Sequence, residues 1–161
     1  MMMVYNEKNS VCILYALCLS FTLWVNRIDL VKTMKKILIV DDSREIRELV
    51  IATLETEEYQ VFEAADGAKA IATALLEKPD FVIMDVMLPG RINGIEATKI
   101  IKSNPLTKHC TVLILTGTDD SNIKEMGLDA GASDFFMKPF SPLDLLQKLE
   151  DVFDGRKPNE F

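Results

Sequence analysis

The chain has 161 residues, a length typical of one folded domain. It contains 18 Lys and Arg residues against 25 Asp and Glu residues, and its net charge of -7 argues against direct nucleic-acid binding, which would show as a basic domain or stripe. Hydrophobic residues make up 48% of the sequence and charged residues 27%, which excludes a largely disordered chain. The three cysteines, Cys12, Cys18 and Cys110, lack the spacing of a disulfide framework or a zinc site.

The first 33 residues differ in composition from the rest of the chain, and we predict a boundary near Met34. They contain the run Val11–Val25, which has no charged residue. As a helix this run would span about 22 Å, less than the roughly 30 Å hydrocarbon core of a bilayer. Three interpretations stay open: an extension upstream of a true start at Met34, a membrane anchor or interfacial segment, and a cleaved secretory signal. We expect a cytoplasmic protein, associated with a membrane only if residues 11–25 are an anchor.

From Met34 onward, short apolar runs typical of buried strands alternate with stretches in which apolar residues recur at helical spacing. The predicted strands are 37–40, 59–63, 81–84, 111–115 and 134–137. The predicted helices are about 43–57, 66–76, 94–103 and 118–128, and a last helix carries Leu145, Leu146, Leu149, Val152 and Phe153 on one side. Five βα units predict an α/β fold over residues 34–155, followed by a short tail at 156–161. The sheet is expected to be parallel, five-stranded and doubly wound, with helices on both faces, as in flavodoxin-like (βα)5 proteins.

Polar residues follow the ends of four predicted strands. They are Asp41 and Asp42 after the first strand, Asp85 after the third, Thr116 after the fourth and Lys138 after the fifth. Ligands of an open α/β sheet bind beyond the carboxyl ends of the strands, so we expect these side chains at one edge. Two carboxylates about 4 Å apart repel by about 1 kcal/mol in water and ~4 kcal/mol at an effective dielectric of 20. The cluster therefore predicts a bound cation, and oxygen ligands suit Mg²⁺ or Mn²⁺ better than zinc.

Four motifs, in this order, resemble the receiver domains of two-component response regulators. They are ILIVDDS at 37–43, FVIMDVMLPG at 81–90, LTG at 115–117 and FFMKPF at 135–140. The resemblance implies a phosphoprotein of phosphorelay signalling that receives its phosphoryl group from a sensor histidine kinase or a histidine phosphotransferase. It further implies a downstream target protein, and no enzymatic activity beyond the protein's own phosphorylation and slow dephosphorylation.

The same resemblance implies the roles of the residues at the sheet edge. Asp85 would be the phosphoacceptor, and Asp41, Asp42, Asp85 and the backbone carbonyl of Met87 would hold Mg²⁺. Lys138 would pair with the phosphoryl group. These roles agree with the physical requirement, because a carboxylate that attacks a negatively charged phosphoryl group needs cations that screen the repulsion.

A switch is also implied by the resemblance, and it links Thr116 to Phe135. Thr116 would move toward the phosphoryl oxygens, and the ring of Phe135 would rotate into the space that the threonine leaves. Phosphorylation adds about 1.5 to 2 negative charges, which bias such a two-state element. Phe135 carries no hydroxyl, so the ring itself offers no switch hydrogen bond. The bond between Lys138 and Pro139 is expected to be cis, as in the family.

Two features depart from the family's pattern. The loop from Pro89 to Gly94 is one residue longer than the commonest form, which leaves the shape of the loop open. Met87 and Thr118 stand where the family tunes dephosphorylation, and neither is an acid or an amide that would orient an attacking water. We therefore predict slow self-dephosphorylation.

Four of the candidate site residues also have a purely structural interpretation. Asp42 would be a helix N-cap, Thr116 the β-branched end of a strand, Lys138 a surface lysine at a turn, and Phe135 a core residue. The single histidine, His109, is expected to be a solvated residue at the sheet edge, and Cys110 a small core residue. We favour the functional interpretation because all the polar residues fall together at strand ends.

Other functions compatible with the architecture fit the residues less well. An FMN carrier would need an anion cradle after the first strand, where Asp41 and Asp42 repel phosphate. A haloacid-dehalogenase-type phosphatase would need a second acid at position 87. A pseudo-receiver that binds partners without phosphorylation stays open as the alternative. Because only eight residues follow Phe153, we expect a single-domain, chemotaxis-type receiver that signals by docking or passes its phosphoryl group to a histidine phosphotransferase.

Overall fold

A computed structural model of the chain describes residues 34–54 and 59–153. The N-terminal extension with its apolar run at 11–25, the end of the first predicted helix and the tail at 156–161 lie outside the described residues, so those predictions stay predictions. Within the described ranges, no helix is both long enough and apolar enough to cross a membrane.

Five parallel strands form one sheet in the order β2-β1-β3-β4-β5. The strand β1 is two residues longer than predicted, because Lys35 and Lys36 pair in register with the start of β2 although they precede the apolar run. All five residues of β3 are buried, as expected for a strand covered on both faces. The strands are β1 Lys35–Val40, β2 Tyr59–Ala64, β3 Phe81–Asp85, β4 Thr111–Thr116 and β5 Asp134–Met137.

Five helices alternate with these strands among the described residues. They are α1 Arg44–Leu54, α2 Gly67–Glu77, α3 Gly94–Ser103, α4 Ser121–Asp129 and α5 Pro142–Phe153. Side chains cap the N-termini of these helices, as Asp66 does for α2, Asn93 for α3 and Asp120 for α4. Such caps satisfy backbone N–H groups that have no partner within the helix. The cap by Asp120 explains why α4 begins at Ser121 and not at residue 118.

The helices cover both faces of the sheet, which confirms the predicted fold class. One layer of core joins the sheet to α2, α3 and α4 through residues such as Ala74, Ile101 and Ile123. The other joins it to α1 and α5 through Val50 and Leu149 among others. With both faces packed, the carboxyl ends of the strands are left as an open edge, and this edge carries the polar residues.

Candidate functional site

Three carboxylates meet where the ends of β1 and β3 lie side by side. Asp41 and Asp42 follow β1, and Asp85 is the last residue of β3, one position beyond the pairing of Val40 with Met84. One carboxylate oxygen from each lies within 4.8 Å of the others. Asp41 and Asp85 are buried, whereas Asp42 is exposed. In the part of the chain that the structure describes, this is the one group of three such side chains close enough to hold a metal ion.

The ammonium group of Lys138 lies between two of these carboxylates. Its Nζ donates to Asp41 Oδ2 at 2.5 Å and to Asp85 Oδ1 at 2.9 Å. The lysine follows β5, where its backbone N–H donates to the carbonyl of Thr116 at 2.7 Å and its bond to Pro139 is cis, as predicted. The protein thus supplies one cation of its own to a site that holds three anions. Lys138 does lie at a turn before a proline, and its side chain, only 20% exposed, is bonded to two carboxylates.

The surroundings change the pKa values of two of these groups. Burial raises the pKa of Asp85, and the hydrogen bond from Lys138 opposes only part of that effect. Burial alone would lower the pKa of Lys138, but the bonds to Asp41 and Asp85 outweigh it and raise the pKa. The lysine therefore stays charged at neutral pH. A cation near Asp85 would favour its ionised form, which is the form that acts as a nucleophile.

The donor set fits a small, hard divalent cation. Carboxylate oxygens are the ligands that Mg²⁺ prefers, and it commonly takes one or two of them together with water. Asp42 is exposed, so an ion with part of its water shell could approach from that side. The side chain of Met87 is 76% exposed and cannot fill the site, while the predicted role of its backbone carbonyl stays a prediction.

Thr116 lies at the same edge, but its hydroxyl is bonded within its own loop. Its Oγ1 donates to the carbonyl of Thr118 at 3.0 Å and accepts from the N–H of that residue at 3.2 Å. Phe135 pairs in register with Ile114 and is partly buried on the face covered by α2, α3 and α4. The structure therefore places the two predicted switch residues on neighbouring strands and two register positions apart, because Thr116 pairs with Met137. The hydroxyl of Thr116 is bonded to the loop that leads to α4.

Ser43 and Arg47, which the sequence analysis did not assign to the site, fix the acidic turn after β1. The backbone N–H of Ser43 donates to Asp41 Oδ1 at 2.9 Å. Arg47 donates from Nη1 to the carbonyls of Asp41 and Asp42, at 2.9 and 3.2 Å, and from Nε to Glu63 at 3.0 Å. A signal for Arg47 exists in the sequence, because a long side chain in the first turn of a helix points back toward the turn before it.

Three structural interpretations from the sequence, for Asp42, His109 and Cys110, can now be judged. The N-terminal cap of α1 comes from Ser43, whose hydroxyl accepts from the N–H of Ile46 at 3.3 Å. The carboxylate of Asp42 belongs to the acidic group instead. His109 is exposed and Cys110 is fully buried, so the predictions for both residues are confirmed.

Gly94 is a third residue whose contribution only the structure shows. It begins α3, and its N–H donates to the carbonyl of Val86 at 3.0 Å. A Cβ at this position would lie 1.8 Å from the carbonyl oxygen of Asp85. No side chain fits in that space, so glycine is what allows α3 to begin directly against the residue that ends β3.

An acidic group beside a lysine, at the carboxyl edge of a five-stranded parallel sheet, is the arrangement expected of the receiver class of α/β proteins. The family model of the response regulator receiver domain matches residues 37–150, and the chain belongs to this family. It is 38% identical over 126 residues to the phosphate regulon transcriptional regulatory protein PhoB of Pseudomonas aeruginosa, covering 78% of this chain and 55% of that protein. It is 40% identical over 118 residues to the alkaline phosphatase synthesis transcriptional regulatory protein PhoP of Bacillus subtilis, covering 73% and 48%. The chain thus spans about half the length of these curated relatives.

Solved structures confirm the fold. Chemotaxis protein CheY4 of Vibrio cholerae superposes with a TM-score of 0.70 at 38% identity, covering 74% of this chain and 99% of that one. The receiver domain of a sensor histidine kinase from Pseudomonas aeruginosa superposes with a TM-score of 0.67 at 28% identity, covering 76% and 97%. The latter structure is described with a magnesium ion coordinated in its active-site cleft.

Proposed function

We propose that this chain is a single-domain response regulator that accepts a phosphoryl group on Asp85 in a Mg²⁺-dependent reaction. The observation that carries the proposal is the group formed by Asp41, Asp42 and Asp85, with Lys138 bonded to two of the three. Membership of the receiver family and the magnesium in a related receiver's cleft support it.

The chemistry follows from the position of each group. A bound Mg²⁺, held by Asp41, Asp42, Asp85 and the Met87 carbonyl, would neutralise charge on the phosphoryl oxygens. A carboxylate oxygen of Asp85 forms the new bond to phosphorus, and the bond from phosphorus to the donor's histidine nitrogen breaks. The histidine nitrogen keeps the electron pair of the broken phosphorus–nitrogen bond. The products are therefore an acyl phosphate on Asp85 and a neutral imidazole on the donor. Lys138 is already within hydrogen-bonding distance of Asp85 and pairs with the transferred group.

The proposed partners follow from this reaction. The donor is a sensor histidine kinase or a histidine phosphotransferase, and the output is a protein-docking surface that changes when Asp85 is phosphorylated. The similarity to a chemotaxis receiver, 99% of whose chain is matched, supports a single-domain mode of action. We propose that the protein works in the cytoplasm and that it catalyses no reaction other than its own phosphorylation and dephosphorylation.

The test is the intact mass of the full chain after incubation with acetyl phosphate, with and without Mg²⁺. We expect one phosphoryl adduct that requires Mg²⁺ and disappears in the variant Asp85→Asn. The matched control is Asp129→Asn, which removes an exposed carboxylate at the end of α4 and should keep the adduct. The absence of an adduct in both conditions would contradict the proposal and favour a phosphorylation-independent interaction module.

The decay of the same adduct tests the predicted slow dephosphorylation. The side chain of Met87 is exposed beside the site, and a thioether cannot orient a water molecule for attack on the acyl phosphate. After removal of acetyl phosphate the adduct should therefore persist for many minutes. A half-life of seconds would contradict this prediction without affecting the assignment of Asp85.

A further inference from the structure

The helix α4 contains a glycine in its interior, although glycine is a poor helix former. Gly127 lies within Ser121–Asp129, where glycine disfavours the helical conformation relative to alanine. It is also the one buried residue of this helix, whereas its neighbours Met126 and Leu128 are more than half exposed. Position 127 is therefore the point at which α4 meets the rest of the fold, and something at that point favours glycine over alanine.

The contacts of Gly127 show what that is. A Cβ at this position would lie 2.7 Å from Cζ and 2.8 Å from Cε1 of Phe135, and 2.8 Å from Cδ1 of Ile114. Carbon atoms in contact are normally about 3.5 to 4.0 Å apart, so these distances leave no room for a methyl group. The tip of the Phe135 ring thus rests directly on the backbone of α4. We call this contact the Gly127 notch.

The notch contains Phe135, one of the two residues of the switch that the resemblance to the receiver family implies. Ile114 pairs with Phe135 across the sheet and lies two residues before Thr116, so Ile114 and Thr116 point to the same face. In this structure the hydroxyl of Thr116 is bonded to Thr118, in the loop that leads to α4. In this structure the ring therefore occupies the notch while the hydroxyl of Thr116 is bonded to its own loop.

We propose that Gly127 is a positioning residue of the phosphorylation switch, an inference that rests on the proposed function. The notch holds the ring of Phe135 against α4 as long as Thr116 is bonded to its loop. When the side chain of Thr116 turns toward a phosphoryl group on Asp85, the ring of Phe135 leaves the notch and enters the space that the threonine has vacated. A methyl group in the notch opposes only the first arrangement, so it shifts the equilibrium toward the arrangement that binds the phosphoryl group.

The experiment uses the full chain labelled with ring-¹³C phenylalanine, which adds no atom at the ring tip, and the aromatic signal of Phe135 is assigned from its loss in Phe135→Leu. In Gly127→Ala without any ligand, we expect this signal to move toward the position that beryllium trifluoride with Mg²⁺ produces in the unsubstituted chain. Beryllium trifluoride serves as the probe because it mimics a bound phosphoryl group without turnover. Its dissociation constant should fall about fivefold or more in Gly127→Ala, a coupling of ordinary size.

Two further variants separate this effect from a general effect on α4. Asn122→Ala raises the helical propensity of α4 at an exposed position and should leave the dissociation constant unchanged. Phe135→Leu removes the ring atoms nearest the notch, so Gly127→Ala in that background should have no effect on beryllium trifluoride binding. Circular dichroism checks folding, and if Gly127→Ala does not fold, it is combined with Ile114→Val, which removes Cδ1, one of the three close atoms. The added Cβ then still meets the ring of Phe135, and the same changes in signal and dissociation constant are expected.

The outcomes distinguish this inference from the proposed function. If the unsubstituted chain does not bind beryllium trifluoride, both are overturned. If it binds and Gly127→Ala binds with the same dissociation constant, or if the effect persists when Phe135 is leucine, this inference alone is overturned. A Phe135 signal that stays in place in Gly127→Ala also overturns it.

Discussion

Lys138 is the cation that the protein itself supplies to the acidic edge. Its ammonium bonds to Asp41 and Asp85, two buried carboxylates, and its own side chain is only 20% exposed. In Lys138→Met the stem keeps its approximate shape while the charge is lost, so the carboxylates face each other uncompensated. We expect the free energy of unfolding to fall by about 2 kcal/mol, less than for a fully buried pair because water reaches the lysine.

Urea unfolding checks this prediction, first without divalent cations and then with Mg²⁺. The metal should recover more of the lost stability in Lys138→Met than it adds to the unsubstituted chain, because it neutralises the same carboxylates. Lys124→Met is the matched control, since Lys124 pairs with Asp119 on the surface, and pairs of that kind contribute little. Equal stability of Lys138→Met and the unsubstituted chain would contradict the prediction.

At this scale the sequence predicts which side chains meet, but it does not predict what holds them. Asp41 and Asp85 follow apolar runs that can only be central strands, and parallel pairing then brings them to one edge. The bonds of Arg47 to two backbone carbonyls depend on the path of the turn after β1, which spacing does not reveal. The bond of Thr116 to Thr118 is also set by loop geometry, and two neighbouring threonines do not predict it.

At the scale of elements, the start of α3 fixes the end of β3. Gly94 is buried, and a Cβ there would lie 1.8 Å from the carbonyl oxygen of Asp85, which is backbone and cannot swing away. In Gly94→Ala the helix must move away from the strand that carries the phosphoacceptor. We expect a loss of about 2–3 kcal/mol in the free energy of unfolding, typical of strong overpacking, together with slower phosphorylation by acetyl phosphate.

Gly117→Ala is the matched control for this change. A Cβ at Gly117 meets no atom within 4 Å, and its backbone has no positive φ that alanine would resist. The same substitution should therefore be neutral or slightly stabilising there, because alanine restricts the unfolded chain more than glycine does. Both are compared by urea unfolding, and equal stabilities for Gly94→Ala and Gly117→Ala would contradict the argument.

The sequence predicts which helices and strands form, but it does not predict the residues at which they begin and end. The existence and order of all ten elements follow from apolar periodicity, because a two-sided sheet and one-sided helices require different spacings. The first and last residues of each element depend on local hydrogen bonds, which the spacing of apolar residues does not reveal. β1 begins at Lys35 because its backbone pairs with β2 from that residue on. α4 begins only after Asp120, whose side chain caps its N-terminus.

At the scale of the whole domain, the fold separates a fixed part of the site from a part that can move. The three carboxylates lie at the ends of β1 and β3, and each of these strands has another strand on both sides. Thr116 and Phe135 stand on β4 and β5, next to α4, the helix with a single buried residue. A change of charge at Asp85 is therefore expected to act on the β4–α4–β5 side of the domain and to leave the central strands in place.

Cooperative unfolding of the domain also has a predicted pH dependence. Cys110 is fully buried, and its Sγ donates to the carbonyl of Pro79 at 2.8 Å, which ties the loops before β3 and β4 together. Burial raises the pKa of this thiol from 9.0 to about 11. The pKa of the thiol is thus higher in the folded state than in the unfolded state, and burial of the neutral thiol stabilises the fold fully at a pH below 9.0. This stabilisation is lost as the pH rises from 9.0 to about 11.

The measurement is urea unfolding of the unsubstituted chain and of Cys110→Ala at about pH 7.5 and about pH 10, the second value lying within the window. Between these conditions the unsubstituted chain should lose about 1.4 kcal/mol more than the variant, because its unfolded state releases a proton that the folded state retains. Lysine and tyrosine titrations occur in both proteins and cancel in the comparison, as does the constant cost of the smaller alanine side chain. An identical loss in the two proteins would mean that the thiol ionises as readily in the folded domain as in water, which is incompatible with a buried Cys110 that joins the two loops.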